Sequence, residues 1–323
     1  MDFVSKRWWY FGLSALLILA GIVSMLIPPA FRVGIEFTGG SALSLTFERP
    51  VEQSVLRSEL TRLGHPEALI QRTGERSFLV RTAFLKEGKP SQGDQPAVPS
   101  EEETLRTAFT ERLAPISSWE ITSVSPVVAG ETVQKAVVAV LAASVVILFF
   151  IWFAFRRVQK AWRMGVAAVI TLVHDVLVTL GMFSLLSKFL NVEVNAMFIT
   201  AALTVVGYSV HDTIVVFDRI RENAAKGVAR DLAGVVNFSV AETLGRSLNT
   251  SLTTLLAILA LLLLGGPTIR SFLLAMAIGI ITGTYSSIFT AAQILVAWER
   301  GEWKGPFTAR RVAVPALTKP SEV

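Results

Sequence analysis

Six separate stretches of this chain are long and apolar enough to cross about 30 Å of hydrocarbon, which takes roughly 20 helical residues each. They fall at 8–28, 132–155, 163–187, 195–217, 247–266 and 269–298. In lipid every backbone N–H and C=O must find its partner inside the protein, and runs of this length can do so only as helices. Composition agrees, with 52% of residues hydrophobic and 17% charged, below the quarter or so usual in a soluble domain. The first run follows Ser5-Lys6-Arg7. It is too long for the core of a cleaved leader and no small-x-small site follows, so it is a retained span. The absence of cysteine excludes disulfides, thiolate metal sites and cysteine nucleophiles. The net charge of +5 does not point to nucleic acid, because the basic residues are scattered over short loops, where they anchor and orient a chain in a lipid bilayer.

Orientation follows from those loops. Lys6 and Arg7; Arg156, Arg157, Lys160 and Arg163; Arg219, Arg221, Lys226 and Arg230; and Arg300, Lys304, Arg310 and Arg311 flank alternate span ends. The opposite short loops hold only Lys188 and Arg270. The positive-inside bias therefore predicts a multi-pass protein of the inner membrane, both termini cytoplasmic and residues 30–130 outside. The expected organisation is a first span in 1–29, an external domain in 30–130, a five-helix bundle in 131–299 and a cytoplasmic tail in 300–323. Within the bundle, 219–246 repeats apolar residues among charges (Ile220, Ala224, Val228, Leu232, Val236, Val240, Leu244). That pattern predicts one or two helices lying in the cytoplasmic interface.

The external segment has the alternation of a soluble α+β domain. Residues 32–48 read as a strand interrupted at Thr38-Gly39-Gly40, and 52–63 as a helix with Val55, Leu56, Leu60 and Leu63 on one face. Short strands at 68–72 and 77–84 turn at Gly74-Glu75; the Gly-, Pro- and Ser-rich 86–100 is a loop. A helix at 101–114 and a strand at 117–125 complete β-α-β-β-α-β, the ferredoxin-like order. No catalytic signature occurs in it, and a binding or lever domain is expected.

An ionisable side chain at the bilayer centre costs about 2.5–3.5 kcal/mol, so each one needs a reason. The third span carries Thr171, His174-Asp175 and Thr179; Thr171, Asp175 and Thr179 share one helix face. The fourth carries Thr200, Thr204, Tyr208 and Asp212 at four-residue steps, with His211 beside the carboxylate. The fifth opens with Arg246, then Asn249, Thr250, Thr253 and Thr254. Three polar stripes are expected to meet inside the bundle, with Asp212 and Arg246 as a pair. That pair is either a static ion pair or part of a proton path, and hydroxyls of Thr and Tyr suit relay because each both donates and accepts. Candidate proton-path residues are Asp212, Arg246, Asp175, His211, His174, Tyr208, Thr204 and Thr250. The histidines lack metal-ligand spacing and are expected to pack or hydrogen bond, with no metal or other cofactor beyond the proton. Ala275, Gly279, Gly283 and Ser287 give the sixth span a close-packing ridge.

At these residues a family resemblance emerges. Gly34-Ile35-Glu36-Phe37-Thr38-Gly39-Gly40 resembles the GI-D/E-FTGG signature of the SecD/SecF protein-export family. The block from Val206 through Asp212 to Glu222 (VGYSVHDTIVVFDRIRE) is similar to that family's VGYSINDTIVVFDRIRE, and is characteristic of its SecF members. Arg246-Ser247-Leu248-Asn249-Thr250 through Leu255, His174-Asp175-Val176 and Ser125-Pro126-Val127-Val128 match as well. The resemblance implies an α-helical membrane protein with six transmembrane helices, an RND-type half bundle, and one small ferredoxin-like periplasmic domain. It implies a non-enzymatic subunit of the Sec translocase that works with SecD, the SecYEG channel and YajC on a translocating preprotein, driven by the proton-motive force. Asp212 and Arg246 fall on the family's proton-pathway positions, and Asp175 on another acidic one. His211 stands where the family usually has Asn. Competing expectations are a structural assembly subunit, half of a small-molecule RND exporter, for which the external domain is too small, and an intramembrane aspartyl protease on Asp175 and Asp212. The protease lacks a GxGD motif, and its two carboxylates would lie about 20 Å and 10 Å deep.

Overall fold

The chain opens with a 3-10 turn at Val4–Lys6 and α1 (Arg7–Leu26). A short β1 (Arg32–Val33) and one helical turn, α2 (Ile35–Thr38), lead into the α+β domain. The domain is β2 (Gly40–Phe47), α3 (Gln53–Arg62), β3 (Leu69–Arg72), β4 (Ser77–Thr82), α4 (Glu101–Arg112) and β5 (Ile116–Val124). The membrane part follows as α5 (Pro126–Phe155), α6 (Ala161–Phe189), β6 (Glu193–Val194), α7 (Ala196–Lys226), α8 (Leu232–Leu264), α9 (Arg270–Ser286), a π turn (Ser287–Ala291) and α10 (Ala292–Glu299). These positions come from a computed structural model, which describes residues 2–88, 99–155, 161–190, 192–266 and 269–302. The centre of the 86–100 loop, Arg156, Arg157 and Lys160, and the tail beyond Glu302 lie outside the described residues.

Among the described residues six helices are long and apolar enough to cross a membrane, as expected from the six apolar runs. In the domain the sheet order is β3-β4-β2-β5, all antiparallel, the ferredoxin-like arrangement. Its core is self-contained. Leu43, Leu45 and Phe47 of β2 pack with Phe78 and Val80 of β4 under Leu56 and Leu60 of α3 and Leu105 and Phe109 of α4. The start of α4 follows from a capping sequence: the Ser100 side chain accepts from Glu103 N–H at 3.1 Å, and Glu101, Glu102 and Glu103 put negative charge at the positive helix end.

The strand expected over 32–48 divides into three pieces. Arg32–Val33 pairs in parallel with Glu193–Val194 of the membrane part, α2 makes a single turn, and only residues 40–47 join the sheet. Gly39 (φ 73°) and Gly40 (φ 125°) have backbone angles that side chains rarely adopt. A Cβ on Gly39 would sit 3.1 Å from Pro126 Cα, and one on Gly40 2.6 Å from the Thr82 carbonyl. The two glycines thus let the chain turn into the sheet while passing the head of α5. Arg81 of β4 ion-pairs with Glu193 next to this point, although burial, together with nearby Arg32, pulls its guanidinium down to about 10.

Helix packing in the bundle depends on small residues. Gly21 of α1 faces Gly181 of α6 so closely that a Cβ on Gly21 would lie 2.7 Å from Gly181 Cα, and Ser24 and Ser184 share a 2.8 Å hydrogen bond one turn on. On α9, Gly279 lies against Val205 and Gly283 against Ser209, so the expected ridge holds α7 close.

The 219–246 segment differs from expectation. No separate interfacial helix forms; 219–226 continues α7 and 232–246 begins α8. Gly227 (φ 65°) closes α7 in the left-handed conformation, and the Asp231 side chain caps α8 through Gly234 N–H. The apolar repeat that suggested a membrane surface instead zips the two helices together, with Val236 and Val240 buried in one cluster with Phe217 and Ile220.

Candidate functional site

A His-Asp pair occurs on each of α6 and α7, and three of the four side chains, His174, Asp175 and Asp212, are buried. On α6, Thr171, Asp175 and Thr179 are all buried on one face, as their spacing predicts. Asp175 is 1% exposed. Its Oδ1 lies 2.9 Å from His174 Nδ1, while its Oδ2 accepts hydrogen bonds from Ser209 of α7 and, at 2.8 Å, from Ser286 of α9. Three helices therefore converge on one carboxylate. His174 is buried too, and its Nε2 has no partner.

On α7, Asp212 is 8% exposed. Its Oδ1 accepts from Ser247 of α8 at 2.8 Å, and its Oδ2 is buried without a hydrogen-bond partner. The expected Asp212–Arg246 pair is not formed. Arg246 is exposed, and among the described residues its side chain makes no ion pair. The reason is helical geometry: Arg246 and Ser247 point about 100° apart around α8, and packing against α7 turns the serine inward. Arg246 instead lines a cleft between α7 and α8 with Val215, Asp218, Arg219, Glu222, Glu242 and Thr243. There Arg219 donates to Glu242 and Glu222, both at 2.6 Å, and Asn223 donates to Glu242 at 2.8 Å and Ser239 at 3.0 Å.

The three polar stripes do not all meet inside, which corrects a second expectation. Thr200, Thr204 and His211 of α7, and Arg246, Asn249, Thr250 and Thr253 of α8, are exposed. The threonine hydroxyls turn back onto their own helices, Thr204 to the Thr200 carbonyl at 2.8 Å and Thr250 to the Arg246 carbonyl at 2.9 Å. Two neighbouring helices thus present a polar surface at membrane depth. Tyr208 lies half-buried at its margin, with its hydroxyl 3.2 Å from Ser251, which in turn is 2.5 Å from Thr284 of α9.

Serines dominate what sequence reading missed. Ser209, Ser247, Ser251 and Ser286 make the decisive contacts, yet a serine in an apolar helix looks like any small packing residue. The run Thr282-x-Thr284-x-Ser286-Ser287 in the last span was the available signal, and all four are buried. Among the described residues no group of three His, Asp or Glu side chains converges as a metal site would require. Asp175 and Asp212 have separate partners, with no hydrogen bond between their carboxyls, so the aspartyl dyad does not form. The arrangement sets two buried carboxyls among serine hydroxyls, groups that both donate and accept hydrogen bonds.

Comparison with known proteins agrees with the architecture. Residues 104–301 match the family described as protein export membrane protein SecD/SecF, C-terminal. The protein translocase subunit SecF of Thermobaculum terrenum is 41% identical over 313 residues, covering 94% of this chain and 95% of the relative. That of Escherichia coli O157:H7 is 37% identical over 296 residues, 91% and 86% respectively. Among solved structures, SecDF from Thermus thermophilus superposes with a TM-score of 0.75 at 37% identity, over 93% of this chain. A SecDF in a super-membrane-facing form gives 0.63 at 35% identity over 94%. This chain spans only 38% of the first SecDF chain and 39% of the second. The relatives are named as translocase subunits rather than enzymes. By sequence, span count and fold, the chain belongs to the SecD/SecF family of protein-export membrane proteins, on its SecF side.

Proposed function

We propose that this chain is one half of a proton-driven export machine of the inner membrane. Its polar α7–α8 face joins a SecD-type partner, and Asp212 is the proton-carrying carboxyl. The observation that carries this reading is the state of Asp212. A buried carboxyl oxygen without a partner is costly to leave so, and it lies beside an exposed polar face that lipid cannot solvate. A membrane-embedded partner covering that face would complete both. The size of the solved SecDF chains, of which this chain spans under two fifths, supports a partner of that kind. Arg246 adjoins Ser247, the hydrogen-bond partner of Asp212, and is the cation that would stabilise the carboxylate once the face is covered. Both termini then lie in the cytoplasm and the ferredoxin-like domain in the periplasm, where it meets the preprotein leaving SecYEG.

The energetics are adequate. One proton crossing 100 mV releases about 2.3 kcal/mol, enough to shift a two-state equilibrium by more than tenfold. The β1–β6 pairing and the Arg81–Glu193 contact, which tie the domain to the α6–α7 connection, support coupling of that shift to the domain. The test combines export and topology. Asp212→Asn should abolish export that depends on the proton-motive force while leaving the complex with the partner intact; Asp212→Glu should keep part of it at a shifted pH. In this cysteine-free chain, Thr107→Cys should react with an impermeant thiol reagent outside intact cells and Lys226→Cys should not. Normal export by Asp212→Asn, or the reverse labelling, defeats the proposal.

A further inference from the structure

The His174-Asp175 pair of α6 has no part in the Asp212 reading. We propose that Asp175, reached through His174, is a second proton-binding site of the membrane bundle, separate from Asp212, and that its charge sets how tightly α6, α7 and α9 are joined. This rests on the proton-handling reading of the bundle, but its test uses neither export nor flux.

A carboxylate so fully buried needs a cation or a proton to offset its desolvation. Among the described residues no Lys or Arg comes within ion-pair distance of Asp175, and only His174 does. The other groups facing it are neutral: the Ser209 hydroxyl from α7, the Ser286 hydroxyl from α9, and Tyr285, whose ring stands 6.5 Å from that of His174 and whose hydroxyl donates to the Tyr10 carbonyl of α1 at 2.8 Å. His174 offers the way in. With Asp175 ionised, the His174 Nδ1 must carry the proton shared with Asp175 Oδ1, because a carboxylate only accepts, and its Nε2 is a buried, unpartnered nitrogen. A proton bonding to Nε2 releases the Nδ1 proton to Oδ1. The imidazole ends neutral in its other tautomer, the carboxylate becomes a carboxyl, and one proton from water has been added.

The neighbours can register that change. Ser286 has one hydroxyl proton and two acceptors in range, Asp175 Oδ2 at 2.8 Å and the Gly283 carbonyl at 3.1 Å. A carboxylate takes the proton of Ser286, whereas a neutral carboxyl accepts more weakly and lets the hydroxyl turn back onto α9. Ser286 is the last residue before the π turn, where Ser287 bonds to Thr213 of α7 at 2.9 Å. Protonation of Asp175 thus loosens the α6–α9 tie where the last span departs from regular α-helix, the kind of irregularity that concentrates at functional positions.

The experiment is infrared spectroscopy of the full chain with its SecD-type partner in membranes, following the protonated-carboxyl band against pH. The comparison is Asp212→Asn alone against Asp212→Asn with Asp175→Asn, which subtracts every surface carboxyl. A band that grows as pH falls in the first and is missing from the second is expected. His174→Gln in the Asp212→Asn background should change how that band responds to pH, because it removes the imidazole in contact with Asp175 Oδ1. Ser286→Ala, which removes one hydroxyl and tests the site without touching Asp175, should shift the band frequency. Identical spectra with and without Asp175, together with no effect of Ser286→Ala, overturn the assignment. Failure of the Asp212 proposal would leave these spectra unchanged.

Discussion

The same dipeptide, His-Asp, occurs on α6 and α7 in opposite surroundings. In α6 both residues point inward, and Asp175 has three side-chain partners from three helices. In α7 His211 points out, and Asp212 has one partner and one unsatisfied oxygen. The difference teaches that a buried carboxylate is not functional or structural by type. A closed constellation organises the chain that contains it, and an open one at the border of a polar face waits for something outside that chain.

The comparison predicts unequal costs of removal. Asp175→Ala leaves the Ser209 hydroxyl and His174 buried without their acceptor, with Ser286 falling back on the Gly283 carbonyl, and should destabilise the bundle by about 3 kcal/mol. Asp212→Ala deprives only Ser247 and should cost about 1 kcal/mol. Unfolding of the single chain in detergent measures both, and the reverse order would break the comparison. The histidines should divide likewise. His174→Leu removes the donor to Asp175 Oδ1 and should cost roughly 1–3 kcal/mol, whereas exposed His211→Leu should stay within about 0.5 kcal/mol.

A double-mutant cycle sharpens the Asp212 side. With no ion pair in the single chain, Asp212→Asn and Arg246→Met should be additive within about 0.5 kcal/mol in its unfolding. Coupling well above that would mean that the pair forms without the partner. The smallest effect belongs to the α+β domain. Hydrogen bonding to Arg62 holds the Glu59 carboxyl below its usual range. A depressed carboxyl stabilises the fold above its unfolded pKa, and that contribution is lost as pH falls through the folded value. Acid titration of a 35–125 fragment should show it, at no more than about 1 kcal/mol for a part-exposed pair, and Glu59→Gln should flatten that part of the profile.

What sequence revealed follows from what is periodic. Span length and the β-α-β-β-α-β order were legible because hydrophobic spacing carries them. Thr38-Gly39-Gly40 was legible as a break, but its purpose emerges only with Pro126 beside it. The 219–246 repeat was ambiguous, since a helical hairpin and a surface helix share one apolar period. Helix rotation was not legible at all. Whether Arg246 or Ser247 faces Asp212 depends on how α8 packs against α7 and α9, and no spacing within α8 decides it.

Proton flux is the most direct test of the central claim. The complex with a SecD-type partner, reconstituted in vesicles under an imposed potential, should conduct protons with the native chain. With Asp212→Asn the flux should fall to the level of empty vesicles, and with Arg246→Met it should fall substantially, while the complex remains assembled. Undiminished flux through assembled Asp212→Asn complexes would contradict the account.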